Sequence, residues 1–505
     1  MADDRISRGR FNETLAAFRC LSQETGDEKC DNEVLETLTE RLKEEESRDL
    51  MTQEAFTDIK KMLCNQEMFL SKSCDRQDKS RERVLHIQVC THCFRVLRNS
   101  CVMSTKNQDM LGVVDVLQVV KRLIYLLTSE QSPAEEQVVA VRCGVQFVGN
   151  FVSGNKSTQS LVWQQFFPEV FLCLLKFDDF KVSVYICMVI YNCLHDCQYH
   201  IQQLIKHPTG LSIVESVLML CQRESEQEWG LFIVEELLQC QEFILTQFET
   251  LSPECKCILL DITSAKLDST AGHREGSTTE GHERGNSEFI PAFSIAFLAD
   301  VFEQQAQKLL LSAVQANTKE AGTLVESTVV LRVLRVLCVA TSIQDKYGIL
   351  QARTSLLETA LDLLQKAHTI GKSGENVFTV RQTLSNEASR RQTTENPVFG
   401  FKGDLIRLIG NMSSRNKRNQ DLVRQLEGIG LLLDHCNIDE LNPFINQWAV
   451  FAIHNLCENN AENQSVIASM QQRGVVGSKV LKDMGIEVED RDGKLYVKTS
   501  PKAEQ

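Results

Sequence analysis

The sequence predicts an all-α protein whose helices stack as a solenoid of repeats, and three observations lead to this prediction. Between Asp404 and Met470 one pattern occurs twice, with Asn411 and Asn455 separated by 44 residues. In both copies an Asn-Gln pair follows, eight and nine residues after the first Asn. Apolar residues recur at i, i+3 and i+4 around each copy. A period of this length with helical spacing is typical of units that bury one face on their neighbours.

Weaker copies of the pattern lie upstream. Asn99 is followed at the same offsets by Asn107-Gln108, and Asn150 is followed after nine residues by Gln159. Asn192 precedes the apolar pair Leu204-Ile205, which lies about one residue late. Five asparagines therefore mark equivalent positions, namely Asn99, Asn150, Asn192, Asn411 and Asn455. Each repeat is expected to hold two or three helices.

Two roles fit an Asn that ends an apolar helix face. It can satisfy backbone groups left open where a helix ends, or a ladder of such residues can grip an extended peptide. The second arrangement is known from armadillo import adaptors, where a Trp lies one helical turn before each Asn. Here the residues four positions before the markers are Arg95, Gln146, Met188, Arg407 and Phe451. None is Trp, so we favour the structural role, and we expect Trp448 to be a core residue of the last repeat.

The chain is divided in order by its composition. Residues 1–83 are expected to form partly loose N-terminal helices, 84–263 the first armadillo-like repeats, and 264–288 a flexible polar insertion. Residues 289–369 keep a helical pattern without the Asn marker, 370–397 form a second polar linker, 398–474 the C-terminal repeats, and 475–505 a tail. The two polar segments are rich in small and charged residues and bury too little apolar area to fold alone. A short strand, Lys494–Val497, is predicted in the tail.

Composition excludes several classes of protein. The chain has 505 residues and a formal charge of −14, which disfavours a nucleic-acid or anionic-membrane binder, because phosphate neutralisation needs clustered Lys and Arg. No run of about 18 uncharged apolar residues occurs, so no membrane span is expected. The 19 cysteines fall largely inside apolar helical patterns, as at Cys143, Cys187 and Cys338. Buried thiols in a reducing, cytoplasmic compartment fit best.

Candidate chemical motifs are weak. Gly371-Lys372-Ser373 resembles the end of a phosphate-binding loop, but Lys366 stands where the earlier glycine belongs. Three Cys/His groups (Cys90-His92-Cys93, Cys193-His195-Cys197 and Cys255-Cys257) lack the four ligands of a zinc site. Thr393 follows Arg390-Arg391 as a weak phosphorylation pattern, and the sequon at Asn463 lies inside a repeat. We predict no catalytic, cofactor-binding or metal site.

Several segments resemble one known family. Asp404–Asn411, Asn419-Gln420-Asp421, Asn442–Ile445 with Trp448, and Glu462–Gln464 resemble the C-terminal domain of the ataxin-10 family. Upstream, the likeness continues through Cys93–Asn99, Phe147–Asn150 and Phe167–Glu169, and it returns in the tail at Met484–Glu489. The first 80 or so residues and both polar segments match poorly.

The resemblance implies an armadillo-like, non-enzymatic scaffold or adaptor that binds proteins. It also implies roles in neuron survival, neurite outgrowth and cytokinesis, and a cytoplasmic, perinuclear location that includes the centrosome, the cilium basal body and the midbody. The implied partners are a G-protein β subunit, the O-linked N-acetylglucosamine transferase and a nephrocystin, together with self-association. An alternative is that the protein directly regulates a partner enzyme such as that transferase.

Overall fold

The structure is a computed structural model of the chain. It describes residues 9, 11–18, 28–72, 80–130, 132–223, 228–272, 289–315, 321–373, 376, 378–379, 398–470, 486–491 and 494–499. The chain forms two compact units, Met1–Leu237 and Leu238–Gln505.

The first unit is helical throughout its described residues. Residues 11–18 are helical, and thirteen further helices follow. They are α1 Glu28–Arg41, α2 Glu45–Asp49, α3 Gln53–Leu70, α4 Ser80–Ser100, α5 Thr105–Val114, α6 Leu117–Thr128, α7 Glu135–Val152, α8 Lys156–Phe166, α9 Glu169–Leu175, α10 Phe180–Leu194, α11 Gln198–Lys206, α12 Gly210–Arg223 and α13 Glu228–Gln239. Helix α13 continues two residues into the second unit.

The described residues of the second unit are helical apart from short turns and one hairpin. Its helices are α14 Gln241–Gln247, α15 Pro253–Gly272, α16 Ala292–Gln315, α17 Ala321–Ser342, α18 Gln344–Tyr347, α19 Thr354–Lys372, α20 Phe401–Ser413, α21 Lys417–Gln425, α22 Gly428–Leu433, α23 Ile445–Cys457 and α24 Ala461–Ser469. Short 3₁₀ turns lie at Phe248–Thr250 and Gly348–Ala352. Strands β1 Ile486–Arg491 and β2 Lys494–Thr499 pair antiparallel.

The repeat unit is one long helix followed by two shorter ones. In the first unit the long helices α1, α4, α7 and α10 pack side by side in sequence order, and in the second unit α17, α20 and α23 do the same. Their apolar faces contribute to the core, with Phe94, Phe147 and Phe151 fully buried. Burying one stripe on each neighbour is how a repeat that is too small to fold alone becomes stable. The predicted armadillo-like helical-repeat class is thus observed.

Helix α17 extends the stack into the segment without an Asn marker. It packs on α20, and α18 with its 3₁₀ turn and α19 then lead back to α20 in the same order of one long and two shorter helices. The segment 289–369 therefore contains a repeat whose long helix has no marker.

Two predicted boundaries are wrong. The polar insertion was expected from Ser264, but α15 continues to Gly272. Leu267 in this part of the helix is 1% exposed, so it still packs into the core despite its polar neighbours. The second linker was expected from residue 370, but α19 continues to Lys372. The predicted strand at Lys494–Val497 lies within β2, and the sequence prediction missed its partner β1.

The described cysteines are free thiols, and Cys143, Cys187, Cys193 and Cys338 are buried while Cys457 is half-buried. Among the described residues, no single helix is long and apolar enough to cross a membrane. One bent pair, Gln198–Lys206 with Gly210–Gln222, passes that test by length and composition only.

Candidate interaction surface

Four of the five marker asparagines tie one repeat to the preceding long helix. Each Nδ2 donates across the stack to a backbone carbonyl near that helix's C-terminus. The acceptors and distances are Thr39 for Asn99 at 3.0 Å, Arg98 for Asn150 at 3.0 Å, Cys338 for Asn411 at 2.8 Å and Gly410 for Asn455 at 3.0 Å. Arg98 and Gly410 are themselves the residues just before Asn99 and Asn411. These hydrogen bonds form a ladder at equivalent positions of successive repeats. The marker asparagines therefore bind the protein's own backbone.

Asn192 is the exception. Its Nδ2 donates to the carbonyl of Met188 in its own helix at 2.9 Å. The equivalent acceptor would be the carbonyl of Gly149, and the side chain of Met188 lies against Gly149. The contact between α7 and α10 is therefore made by packing, without this cross-helix hydrogen bond.

The residue eight positions after each marker closes the end of its own long helix. Its side chain bonds the carbonyl of the residue just after the marker, which has no partner within the helix. The five side chains and acceptors are Asn107 with Ser100, Thr158 with Phe151, His200 with Cys193, Asn419 with Met412 and Asn463 with Leu456. Asn, Thr and His side chains thus make the same hydrogen bond at this position.

The Gln nine positions after a marker can link a repeat to the following one. Gln108 Nε2 donates to the carbonyl of Asn150 at 2.8 Å, and Gln420 Nε2 donates to that of Asn455 at 2.9 Å. Together with the markers, these glutamines form links in both directions along the stack. Both side chains are nearly fully buried.

Sequence analysis missed two further regularities. Five positions after the marker, Ser104, Asn155, Asn416 and Asn460 cap the next helix with their side chains. Ser or Asn three residues before the second Asn was a readable N-cap signal. One residue earlier, the backbone has positive φ in all five repeats, at Met103, Gly154, Asp196, Arg415 and Asn459. Because only one of these is Gly, sequence did not reveal this left-handed turn.

Trp448 is not a core residue, which corrects the expectation above. It is half-buried on α23, with the Arg407 guanidinium 4.9 Å from its ring and Phe451 edge-to-face at 6.0 Å. Phe444 and Val450 on the same segment are exposed. The helix has two apolar stripes. Ala449, Ala452 and Leu456 form the buried one.

Most cysteines of the Cys/His groups are buried in the core, whereas His195 is exposed and Cys197 is half-buried. Burial raises the pKa values of the Cys90 and Cys193 thiols well above their usual range, and a protonated thiol is a poor nucleophile and metal ligand. Burial also raises the pKa of Cys257. Within the described residues, no group of three or more His, Cys, Asp or Glu side chains is arranged to hold a metal ion.

The other candidate motifs occupy unsuitable places. Lys372 is the last residue of α19 and Ser373 follows it, whereas a phosphate is bound by the N–H groups at a helix N-terminus. The sequon residue Asn463 is fully buried and donates to two carbonyls, of Leu456 and Gln420, so the folded chain does not present it. Thr393 lies outside the described residues.

Comparisons with known proteins identify the family. Residues 401–498 match the model described as the spinocerebellar ataxia type 10 protein domain. Ataxin-10 of Xenopus tropicalis is 38% identical over 420 residues, covering 83% of this chain and 82% of the frog protein. Ataxin-10 of Homo sapiens is 33% identical over 473 residues, covering 93% of this chain and 94% of the human protein.

Two more distant similarities cover less or align less well. An ataxin-10 homolog of Dictyostelium discoideum is 49% identical over 107 residues, which is 21% of this chain and 18% of that protein. A chain from a structural study of the cadherin–β-catenin interaction aligns at 13% identity with a TM-score of 0.36, covering 91% of this chain and 78% of the other. The similarity to the frog and human proteins, at this identity over most of both chains, shows that this chain belongs to the ataxin-10 family.

Proposed function

We propose that the protein is a non-enzymatic scaffold that binds other proteins through the outer surfaces of its helical repeats. The observation that carries the proposal is how side chains are used along the long helices. The recurring polar side chains hydrogen-bond to backbone carbonyls within the stack, while aromatic side chains such as Phe451 and Phe444 stay exposed. Aromatic residues are enriched at the centres of protein interfaces, where a few side chains supply most of the binding energy.

The family suggests where such a scaffold works. We propose a cytoplasmic, perinuclear location including the centrosome, basal body and midbody, and roles in cytokinesis, neuron survival and neurite outgrowth. Three partners are the first to test: a G-protein β subunit, the O-linked N-acetylglucosamine transferase and a nephrocystin. Self-association is to be measured alongside them.

The test is a proximity-labelling inventory with the full-length chain in dividing cells and in neurons. An unrelated helical-repeat protein of similar size and charge serves as the background. Enrichment of a discrete partner set, with some partners lost in Phe444→Asp and retained in Asn446→Asp, supports the proposal. Both residues are exposed and lie at the start of α23. A full-length chain that enriches nothing over the background refutes it.

The regulatory alternative makes a different prediction. If the protein acts by changing the activity of the transferase, purified full-length chain should alter that enzyme's rate in a defined mixture. Binding without any change in rate would leave only the scaffold function.

A further inference from the structure

A cluster of three aromatic rings lies on the first unit where α10 meets α13. The Tyr191 ring centroid is 5.6 Å from those of both Trp229 and Phe232, and the latter two meet edge-to-face at 5.8 Å and 81°. Phe232 is 39% exposed, and Tyr191 and Trp229 are half-buried. Solvent therefore reaches an aromatic surface made by two helices.

The second unit repeats this arrangement with a cation in place. Trp448 and Phe451 on α23 have the same three-residue spacing as Trp229 and Phe232, and they meet at 6.0 Å and 82°. There, Arg407 from the preceding long helix α20 lies over the Trp ring. A guanidinium stacks well on an indole face because its charge is delocalised and weakly hydrated. The chain itself thus shows which ligand such a pair accepts.

The first unit does not supply this cation from its own preceding helix. Arg407 lies four residues before its marker Asn411, and the residue four before Asn192 is Met188, whose side chain lies against Gly149. Within the part of the chain that the structure describes, no Lys or Arg side chain lies over the three rings.

Carboxylates surround the same rings. The pKa of the Tyr191 phenol is raised first by burial and then by the negative charges of Glu236, Asp196 and Glu235. Asp196 is exposed, and Glu236 Oε1 lies 2.6 Å from Nδ1 of His195, which stacks on Tyr191. Lys156 also reaches this edge, where its Nζ donates to the carbonyl of His195 at 2.8 Å. Among the described residues named by these contacts, three acids and one lysine lie at the edge of the cluster, which is an excess of negative charge.

We propose that the cluster of Tyr191, Trp229 and Phe232 is a docking site for an arginine-containing basic segment of a partner protein. The guanidinium stacks on the exposed aromatic surface, as Arg407 does on Trp448, and the acids around the rings favour neighbouring basic residues. The inference rests on the proposed scaffold function and specifies one of its ligand classes.

The test is fluorescence anisotropy with purified full-length protein and three labelled peptides. The peptides repeat Gly-Ser-Arg, Gly-Ser-Lys or Gly-Ser-Gln at equal length. We expect the Arg peptide to bind more tightly than the Lys peptide and the Gln peptide to bind least, with affinity falling as salt rises. Phe232→Leu keeps the apolar volume but removes the aromatic face, and should weaken Arg-peptide binding by about tenfold.

Two further variants complete the design. Asp196→Asn should weaken Arg-peptide binding by about two- to threefold, by removing an exposed charge. Tyr199→Ala removes a 68% exposed ring of the same unit and should leave binding unchanged. Thermal melting confirms that each variant is folded.

Equal binding of the Arg and Gln peptides, no binding by the parent protein, or unchanged binding by Phe232→Leu would overturn the proposal. A positive partner inventory combined with no Arg-peptide binding would leave the scaffold function standing and remove only this site.

Discussion

Asn411→Ala tests whether the cross-helix asparagines hold the repeats together. Asn411 is 5% exposed, and its Nδ2 donates to the Cys338 carbonyl at 2.8 Å and to the Thr341 hydroxyl at 3.1 Å. Two buried hydrogen bonds at about 0.5–1.5 kcal/mol each predict a loss of about 1–3 kcal/mol in the free energy of unfolding. Asn411→Asp keeps the shape but turns an acceptor towards the Cys338 carbonyl. It should cost at least as much as the Ala variant.

Asn192→Ala is the matched control, because Asn192 carries the same marker but its Nδ2 donates to the carbonyl of Met188 in its own helix. The free energy of unfolding of Asn192→Ala should differ from that of the parent protein by less than about 0.5 kcal/mol, since Ala is also the better helix former. Hydrogen exchange read by mass spectrometry in dilute urea measures both variants locally. Exchange should rise in α17 and α20 for the Asn411 variants, and hardly change in α7 and α10 for Asn192→Ala. Equal losses at the two sites, or a stable Asn411→Asp, would refute the ladder as a source of stability.

Three other predictions concern single residues. Trp448→Ala should lower the free energy of unfolding by about 1–2 kcal/mol, because it removes a half-buried ring that packs under a cation. Phe444→Ala should lower it by less than half as much. Urea unfolding measures both, and a loss near 4 kcal/mol for Trp448→Ala would show that Trp448 is a core residue. Burial lowers the pKa of His435 to about 4, so the unfolded state takes up a proton more readily than the folded state below pH 6.5. The free energy of unfolding should therefore fall by about 3 kcal/mol as the pH drops from 6.5 towards 4. His435→Gln should flatten this part of the pH profile, and an unchanged profile would contradict the assignment. Met103→Gly, at an exposed position with φ of 51°, should raise stability by about 0.5–1 kcal/mol in thermal melting; a lower melting temperature would show that the turn is not strained.

The marker asparagines could be found from sequence because their spacing repeats within one chain. The acceptors could not, since a backbone carbonyl is offered by every residue and leaves no trace in the sequence. For the same reason α17 could not be recognised as a long repeat helix. It supplies the Cys338 carbonyl to Asn411, and Val339 follows at the position that Asn411 and Asn455 occupy in the next two long helices.

Which side chains are buried was harder to predict. Helix α23 carries apolar residues on two stripes, and only the packing against α20 decides that Ala452 is buried and Trp448 is not. In α15 the polar composition after Ser264 does not indicate a core helix, yet the helix continues to Gly272. Leu267 is the apolar residue that is buried there. The aromatic cluster at Tyr191 joins residues about forty positions apart. Its members could be brought together only by the stacking of α10 and α13.

The links between long helices have a consequence for how such a protein can change over time. Because Asn150, Asn411 and Asn455 each address a main-chain oxygen, the connection is indifferent to the side chains of the helix it reaches. Neighbouring repeats are therefore released from having to vary in concert. The sequence of one repeat can change, lose its own marker or be duplicated, and its backbone still offers a carbonyl to the Asn of the next repeat. The outer surface is then free to diversify towards new partners while the stack beneath it is preserved.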